Sequence, residues 1–177
     1  YASETEAIKI RACFNSIPIQ LAKENRKFQF KVVNKGGTAS IFGSSLDWLT
    51  FAGLINRCEL ISSALIPLNA YIDPSDFKIY MNDVGLLTQL SGMPAQLLLS
   101  EIEIDNTFMG GLTENYVAQA LTSCGFKLFY WHNNNAGEID FIIQQKDNIV
   151  PIEVKKARRT KSVSFNKFRE EYKCKEA

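Results

Sequence analysis

Hydrophobic positions recur with helical spacing near the start of the chain. Over residues 4–14 they stand about three to four positions apart, which predicts a helix. Ser16 followed by Pro18 is typical of a helix start, so a second short helix is predicted over 16–25. The chain is therefore expected to open with two helices.

The spacing of hydrophobic residues then becomes typical of a strand and afterwards again of a helix. Apolar and polar residues alternate over 28–32, which predicts a strand or extended arm, and Gly36-Gly37 marks a turn. A dense apolar run over 46–55 predicts a third helix, capped by Ser44 or Ser45 and buried on most sides.

A hairpin-like pair of strands is predicted next, over 57–61 and 68–72, with a turn at 73–76. Three helices and a hairpin in this order are similar in architecture to a winged helix-turn-helix. The third helix offers Trp48 and Phe51 where a DNA-reading helix would carry Arg, Lys, Asn or Gln, so we expect it to pack rather than to read bases. We also expect Trp48 and Trp131 to lie in the core.

An acidic connector is predicted over 77–105, with a strand at 77–80 and a helix starting at Val84. The chain then returns to regular elements. The predicted elements are a helix over 112–121 that stops at Gly125, strands over 126–132, 139–144 and 149–155, and a closing helix over 164–174.

Composition excludes several classes. The 177 residues are 46% hydrophobic and 22% charged with a net charge of +1, as in an ordinary globular chain. No apolar run reaches the roughly 20 residues of a membrane-spanning helix, so no membrane partner and a cytoplasmic location are expected.

Four dispersed cysteines and one histidine, His132, argue against a zinc cluster and against most hydrolase triads. No phosphate-binding loop of the NTPase type is present, and a chain beginning with Tyr1 is expected to be a piece of a longer protein.

Polar residues interrupt two apolar strands of the second half. Asp140 stands among Ile and Phe, and Glu153 and Lys155 share one face of the next strand because strand side chains alternate. A turn at 146–148 would pair the two strands and bring Asp140 near Glu153 if the register agrees. Two close carboxylates are stabilised by a cation, and Mg²⁺ or Mn²⁺ suits oxygen ligands. The alternative is an edge-strand ladder in which Asp140 pairs with Lys155.

These residues, with Glu114 on the preceding helix, resemble the PD-(D/E)XK (restriction-endonuclease-like) nuclease superfamily. The segments 111–117, 137–141 and 151–155 more narrowly resemble the uncharacterised C-terminal domain of prokaryotic AAA+ ATPases. Segments 17–22 and 46–49 resemble the winged-helix-like part that precedes that domain.

The resemblance implies a role for each matching residue. Asp140 and Glu153 would be metal ligands, Val154 a carbonyl ligand, Lys155 the catalytic lysine and Glu114 a supporting carboxylate. The implied reaction is attack of water on a nucleic-acid phosphodiester with Mg²⁺ or Mn²⁺ as cofactor. It also implies an ATPase domain in the same longer chain and at least one further strand after residue 177.

Charge is unevenly distributed. Residues 155–177 carry nine basic and three acidic side chains, a net +6, and the rest of the chain therefore carries −5. Four of the basic residues directly follow the predicted site and are candidates for binding DNA phosphates: Lys156, Arg158, Arg159 and Lys161. A solvated basic loop is the alternative reading.

The sequence thus predicts an α/β (α+β) chain. Residues 1–76 would form a winged-helix-like helical part and residues 77–177 a small restriction-endonuclease-like α/β core. The expected function is a metal-dependent nuclease or nuclease-like DNA-binding module. The alternative is a non-catalytic domain that binds or regulates the ATPase through an aromatic, acidic surface near 77–105.

Overall fold

A computed structural model describes residues 3–94, 96–97, 105–133, 137–155 and 163–174. Over these residues the chain has six α-helices and one five-stranded mixed sheet, which confirms the predicted α/β class. It divides into two compact units, one of residues 1–56 and 79–119 and the other of residues 57–78 and 120–177. The units interleave along the chain whereas the predicted domains are consecutive, and the assignment of two domains stays a prediction.

The first unit is helical. Its helices are α1 (Glu4–Leu21), α2 (Phe30–Val33), α3 (Ala39–Phe51), α4 (Val84–Leu90) and most of α5 (Asn106–Ser123). Ser3 starts α1 through a capping box with Glu6, in which each side chain accepts from the other residue's backbone N–H.

The predicted break in α1 at Ser16 is wrong, because one helix runs through it. Ser16 Oγ donates to the Cys13 carbonyl inside the helix at 2.7 Å instead of capping a new one. A stripe of Cys13, Ile17 and Leu21, each at most 1% exposed, continues past Pro18. Burial of this stripe outweighs the local signals for a helix start.

Two further predictions about this unit need correction. The predicted strand at 28–32 is replaced by α2, and the backbone N–H and carbonyl of Gln29 pair with the side chain of Gln20 rather than with a strand. Helix α3 begins at Ala39, well before the predicted cap at Ser44 or Ser45. It is not buried on most sides, because Trp48 is 48% and Phe51 95% exposed.

The second unit holds most of the sheet. The strands of the sheet are β1 (Ile55–Ile61), β2 (Ile72–Met81), β3 (Leu128–Asn133), β4 (Gly137–Gln145) and β5 (Asn148–Ile152), in the order β2-β1-β3-β4-β5. Residues 55–56 of β1 and 79–81 of β2 are counted with the first unit. β1 pairs in parallel with β3, whereas β3–β4 and β4–β5 are antiparallel. A 3₁₀ helix (Leu68–Tyr71) lies where the second hairpin strand was predicted, and the predicted turn at 73–76 is part of β2.

One face of this sheet is covered by α6 (Val163–Tyr172). Phe168 of α6 is fully buried and packs edge-on against Trp131, with ring centroids 5.2 Å apart. The rest of this apolar cluster consists of Ile61, Ala64, Leu68, Phe129, Ile139 and Ile142. Trp131 therefore lies in the core as predicted, whereas the same prediction for Trp48 is wrong, because that side chain is 48% exposed. Over the described residues, no helix is long and apolar enough to cross a membrane.

Candidate functional site

The hairpin of β4 and β5 positions the predicted metal ligands. Its register pairs Phe141 with Ile152 and Gln145 with Asn148. Extending this register by one residue places Asp140 opposite Glu153. β5 itself ends at Ile152, so Glu153 and Lys155 follow the strand rather than lying on it, which corrects the predicted strand end.

Two short contacts organise the residues around this point. The Val154 backbone N–H donates to Asp140 Oδ2 at 2.8 Å. Lys155 Nζ lies 2.5 Å from Glu153 Oε1, with the lysine side chain 45% and the glutamate side chain 14% exposed. The structure therefore brings Asp140, Glu153 and Lys155 to one end of the hairpin, where solvent reaches the ammonium group.

A β-bulge lies at Asp140. On one side of it Phe129 pairs with Ile142, and on the other Trp131 pairs with Ile139. Two residues of β4, Asp140 and Phe141, therefore stand opposite the single residue Tyr130 of β3. A bulge of this kind bends its strand and redirects a side chain. No residue pattern in the sequence indicates it.

The donor set fits a hard cation only in part. Asp140 and Glu153 supply carboxylate oxygens, and Mg²⁺ is often held by one or two carboxylates with water completing its shell. Over the described residues, no group of three or more His, Cys, Asp or Glu side chains is arranged to hold a metal ion. A cation at this end of the hairpin would therefore be bound by two carboxylates and would depend strongly on both.

Glu114 belongs to the other unit and lies on α5, where it is 4% exposed. Its Oε1 forms an ion pair with Arg26 Nη1, and its Oε2 accepts from the Tyr80 hydroxyl at 3.0 Å. The sequence reasoning missed both partners. Arg26 is one of several basic residues over 23–35, and Tyr80 ends the predicted strand at 77–80; neither position indicates a contact with Glu114.

Glycines explain how α5 comes close to its neighbours in this unit. A Cβ at Gly111 would lie 2.3 Å from the Leu21 carbonyl oxygen, and a Cβ at Gly110 would lie 2.7 Å from Arg26 Nη2. The pair at 110–111, predicted to precede the helix, instead lies inside it. Backbone packing against α1 and room for the guanidinium group thus account for both glycines.

A second charged cluster on the sheet was missed. Lys78 is 1% exposed, and its Nζ lies 2.5 Å from Glu138 Oε1. His132 Nδ1 lies 3.6 Å from Glu138 Oε2. A lysine inside the apolar run 77–80 is the signal that could have revealed this pair, since Asp140 was noticed for the same reason.

Tyr130 lies beside this cluster and is fully buried, with Lys78 Nζ 5.0 Å from its ring centroid. Burial raises the pKa of the Tyr130 hydroxyl far above its ordinary value, and the charges of Asp76 and Glu138 raise it further. Among the described residues its hydroxyl has no hydrogen-bond partner. The phenol is therefore neutral at physiological pH.

The four residues predicted to bind nucleic acid, Lys156, Arg158, Arg159 and Lys161, lie outside the described residues. Of the predicted site, the structure thus places Asp140, Glu153 and Lys155 together in one unit and Glu114 in the other.

Comparison with known families divides the chain in two. Residues 109–177 match the Domain of unknown function DUF4143, which is commonly found with AAA ATPases. Residues 1–97 match the Domain of unknown function DUF8612. No curated protein and no solved structure matches the chain. The match to DUF8612 covers more than half of the chain, so the chain belongs to the DUF8612 family.

Proposed function

We propose that this chain is a metal-dependent, nuclease-like module of a larger ATPase-linked protein and that it acts on DNA phosphodiester bonds. The observation that supports the proposal is the register of the β4–β5 hairpin. It brings two carboxylates and an ammonium group, Asp140, Glu153 and Lys155, to one solvent-accessible place. The match to a domain commonly found with AAA ATPases supports the link to an ATPase.

Each residue has a distinct role in the proposed reaction. Asp140 and Glu153 would hold Mg²⁺ or Mn²⁺, and the ion would supply Lewis-acid polarisation of the phosphoryl oxygen and of the attacking water. The Val154 backbone N–H donates a hydrogen bond to Asp140 Oδ2 and so fixes the carboxylate. Lys155 neutralises Glu153 and, once released from it, stabilises negative charge on the phosphate. Glu114 is engaged by Arg26 and Tyr80, and its supporting role stays a prediction.

The ion pair between Glu153 and Lys155 has a matched counterpart in the same sheet. Arg57 Nε and Glu59 Oε1 on β1 are 3.0 Å apart, are also separated by two positions, and Glu59 is 16% exposed. Glu59→Gln therefore removes a carboxylate of similar burial from a pair that stands outside the proposed site. It serves as the control for Glu153→Gln.

The test is cleavage of plasmid, duplex and branched DNA with Mg²⁺ or Mn²⁺ by the full protein, with Glu153→Gln, Lys155→Met and Glu59→Gln alongside. We expect nicking to fall by at least about a hundredfold in the first two variants, as for removal of one electrostatic catalytic group, and to be unchanged in the third. The proposal fails if the wild type does not cleave, or if cleavage survives in Glu153→Gln.

A second candidate function is a non-catalytic interaction domain, and the exposed face of α3 favours it. Trp48 and Phe51 are largely exposed there. The aromatic surface predicted near 77–105 is not formed by Phe77 and Tyr80, because these are 8% and 0% exposed. Loss of partner binding in Phe51→Ser, with DNA cleavage absent from the wild type, would favour this function.

A further inference from the structure

Lys78 is an unusual residue to find buried on a sheet. Removing an ammonium group from water costs several kcal/mol, and a buried lysine is therefore retained only where a partner compensates its charge. Glu138 is such a partner, since its Oε1 lies 2.5 Å from Lys78 Nζ. The glutamate side chain is 34% exposed, so the pair has one buried and one solvated end.

Glu138 occupies the part of β4 that leads into the bulge. It lies two positions before Asp140 and stands directly opposite His132 on β3. Its second oxygen is 3.6 Å from His132 Nδ1. One carboxylate oxygen of Glu138 therefore lies near Lys78 and the other near His132. These contacts hold β4 directly before the bulge, where its pairing with β3 shifts by one residue.

Lys78 also contacts the other side of the bulge. Its Nζ lies 5.0 Å from the ring centroid of Tyr130, within the range of a cation–π interaction. Tyr130 is the single β3 residue opposite Asp140 and Phe141. One ammonium group thus touches the residue facing the bulge and the carboxylate that precedes it on β4.

We propose that Lys78 is a positioning residue for Asp140. By joining Glu138 to the Tyr130 ring it holds the bulge in the shape that directs the Asp140 carboxylate to the Val154 N–H and toward Glu153. The consequence for metal binding rests on the proposed function, whereas the consequence for the Val154 hydrogen bond does not.

The experiment therefore uses two measurements on the full protein. The first is hydrogen exchange of the Val154 amide, whose acceptor is Asp140 Oδ2. The second is the affinity for Mn²⁺ alone, measured by electron paramagnetic resonance. Lys78→Met is compared with Lys78→Arg and with Lys127→Met, which removes an exposed lysine 5.3 Å from the Phe129 ring centroid. The Asp140→Ala variant lacks the acceptor, so it gives the exchange rate of the Val154 amide without this hydrogen bond.

In Lys78→Met we expect Val154 exchange to approach the Asp140→Ala rate while the amides of β1 keep their protection. We expect Mn²⁺ affinity to fall about tenfold, as for loss of a residue that orients a metal ligand. Lys78→Arg should keep most of the Val154 protection and most of the Mn²⁺ affinity. Lys127→Met should leave both quantities unchanged. If Lys78→Met does not fold, Glu138→Gln removes the same ion pair with almost no change of shape and should give the same result.

Unchanged Val154 exchange in the folded Lys78 or Glu138 variant would overturn the proposal. So would a loss of protection spread equally over β1, which would mark a general loss of stability. If Val154 responds but the wild type binds no Mn²⁺ through Asp140, the positioning role stands and the proposed function fails.

Discussion

Glu114 and Glu153 are the same residue type, each paired with a basic side chain, but their surroundings differ. Glu114 is 4% exposed and has both oxygens engaged, by Arg26 and by the Tyr80 hydroxyl. Glu153 is paired with Lys155, whose side chain is 45% exposed. The first pair is part of a helical core, whereas the second has a half-exposed ammonium group, which the proposed function requires to give way to a metal ion. Exposure of the partner therefore separates a structural carboxylate from a candidate ligand.

Replacing Glu114 by Gln should have the largest effect on stability. It leaves the Arg26 side chain, only 16% exposed, without its counter-charge, and breaking a buried pair in this way typically costs about 3–5 kcal/mol. Urea unfolding followed by tryptophan fluorescence measures this cost. Trp48 reports on the first unit and Trp131 on the second, so the loss should appear first in the Trp48 signal. If the free energy of unfolding fell by less than about 1 kcal/mol, Glu114 would resemble a partly solvated carboxylate such as Glu153 rather than a structural one.

The next largest effect is expected from Gly111→Ala, because the helix carrying Glu114 packs too closely for a Cβ. The added methyl would lie 2.3 Å from the Leu21 carbonyl oxygen, so α5 must shift and the free energy of unfolding should fall by about 1–3 kcal/mol. Gly43→Ala in α3 is the matched control, since its Cβ has no neighbour within 4 Å. That variant should gain about 0.5–1 kcal/mol from helix propensity. Equal effects at the two glycines would contradict close packing of α5.

Glu153→Gln should change stability much less than Glu114→Gln. Its ion pair is partly solvated, and such pairs contribute about 0–1 kcal/mol. Under the proposed function Mn²⁺ should raise the melting temperature of the wild type, because a ligand that binds only the folded state stabilises it, and Glu153→Gln should abolish that rise. Scanning calorimetry with and without Mn²⁺ measures both effects. A stability loss as large as that of Glu114→Gln would remove the distinction between the two carboxylates.

The second half of the chain was easier to predict than the first. Its strands are short amphipathic runs bounded by turn residues. The turn predicted at 146–148 falls between β4 and β5 at residues 146–147, and Asn148 is already the first residue of β5. The antiparallel register then follows from the loop, and it places Asp140 opposite Glu153. Local sequence rules determined this geometry because each pairing involves neighbours in the chain.

The rest required long-range contacts that no local pattern encodes. The continuity of α1 through Pro18 depends on a buried stripe, and α2 begins directly after Gln29, whose backbone exchanges two hydrogen bonds with the Gln20 side chain. The bulge at Asp140 depends on pairing with β3, and the Lys78–Glu138 pair joins residues far apart in sequence. Glu114 illustrates the limit best: the resemblance implies a supporting carboxylate, whereas its burial and its pairing with Arg26 and Tyr80 involve residues far away in the sequence.

The smallest effect is expected from Tyr130→Phe, and Tyr80→Phe provides its counterpart in the first unit. Both tyrosines are fully buried, but the Tyr80 hydroxyl donates to Glu114, whereas that of Tyr130 has no partner among the described residues. Tyr80→Phe should cost about 1.5–3 kcal/mol because it removes a hydrogen bond to a charged group. Tyr130→Phe keeps the ring beneath Lys78 and removes a hydroxyl whose burial is uncompensated, so its unfolding free energy should stay within about 1 kcal/mol of wild type or rise. Urea unfolding of both variants measures the two changes in the free energy of unfolding. A loss at Tyr130 equal to that at Tyr80 would mean that the hydroxyl supports the bulge at Asp140. The proposed positioning of Asp140 would then depend on more than the Lys78 ammonium and the Glu138 carboxylate.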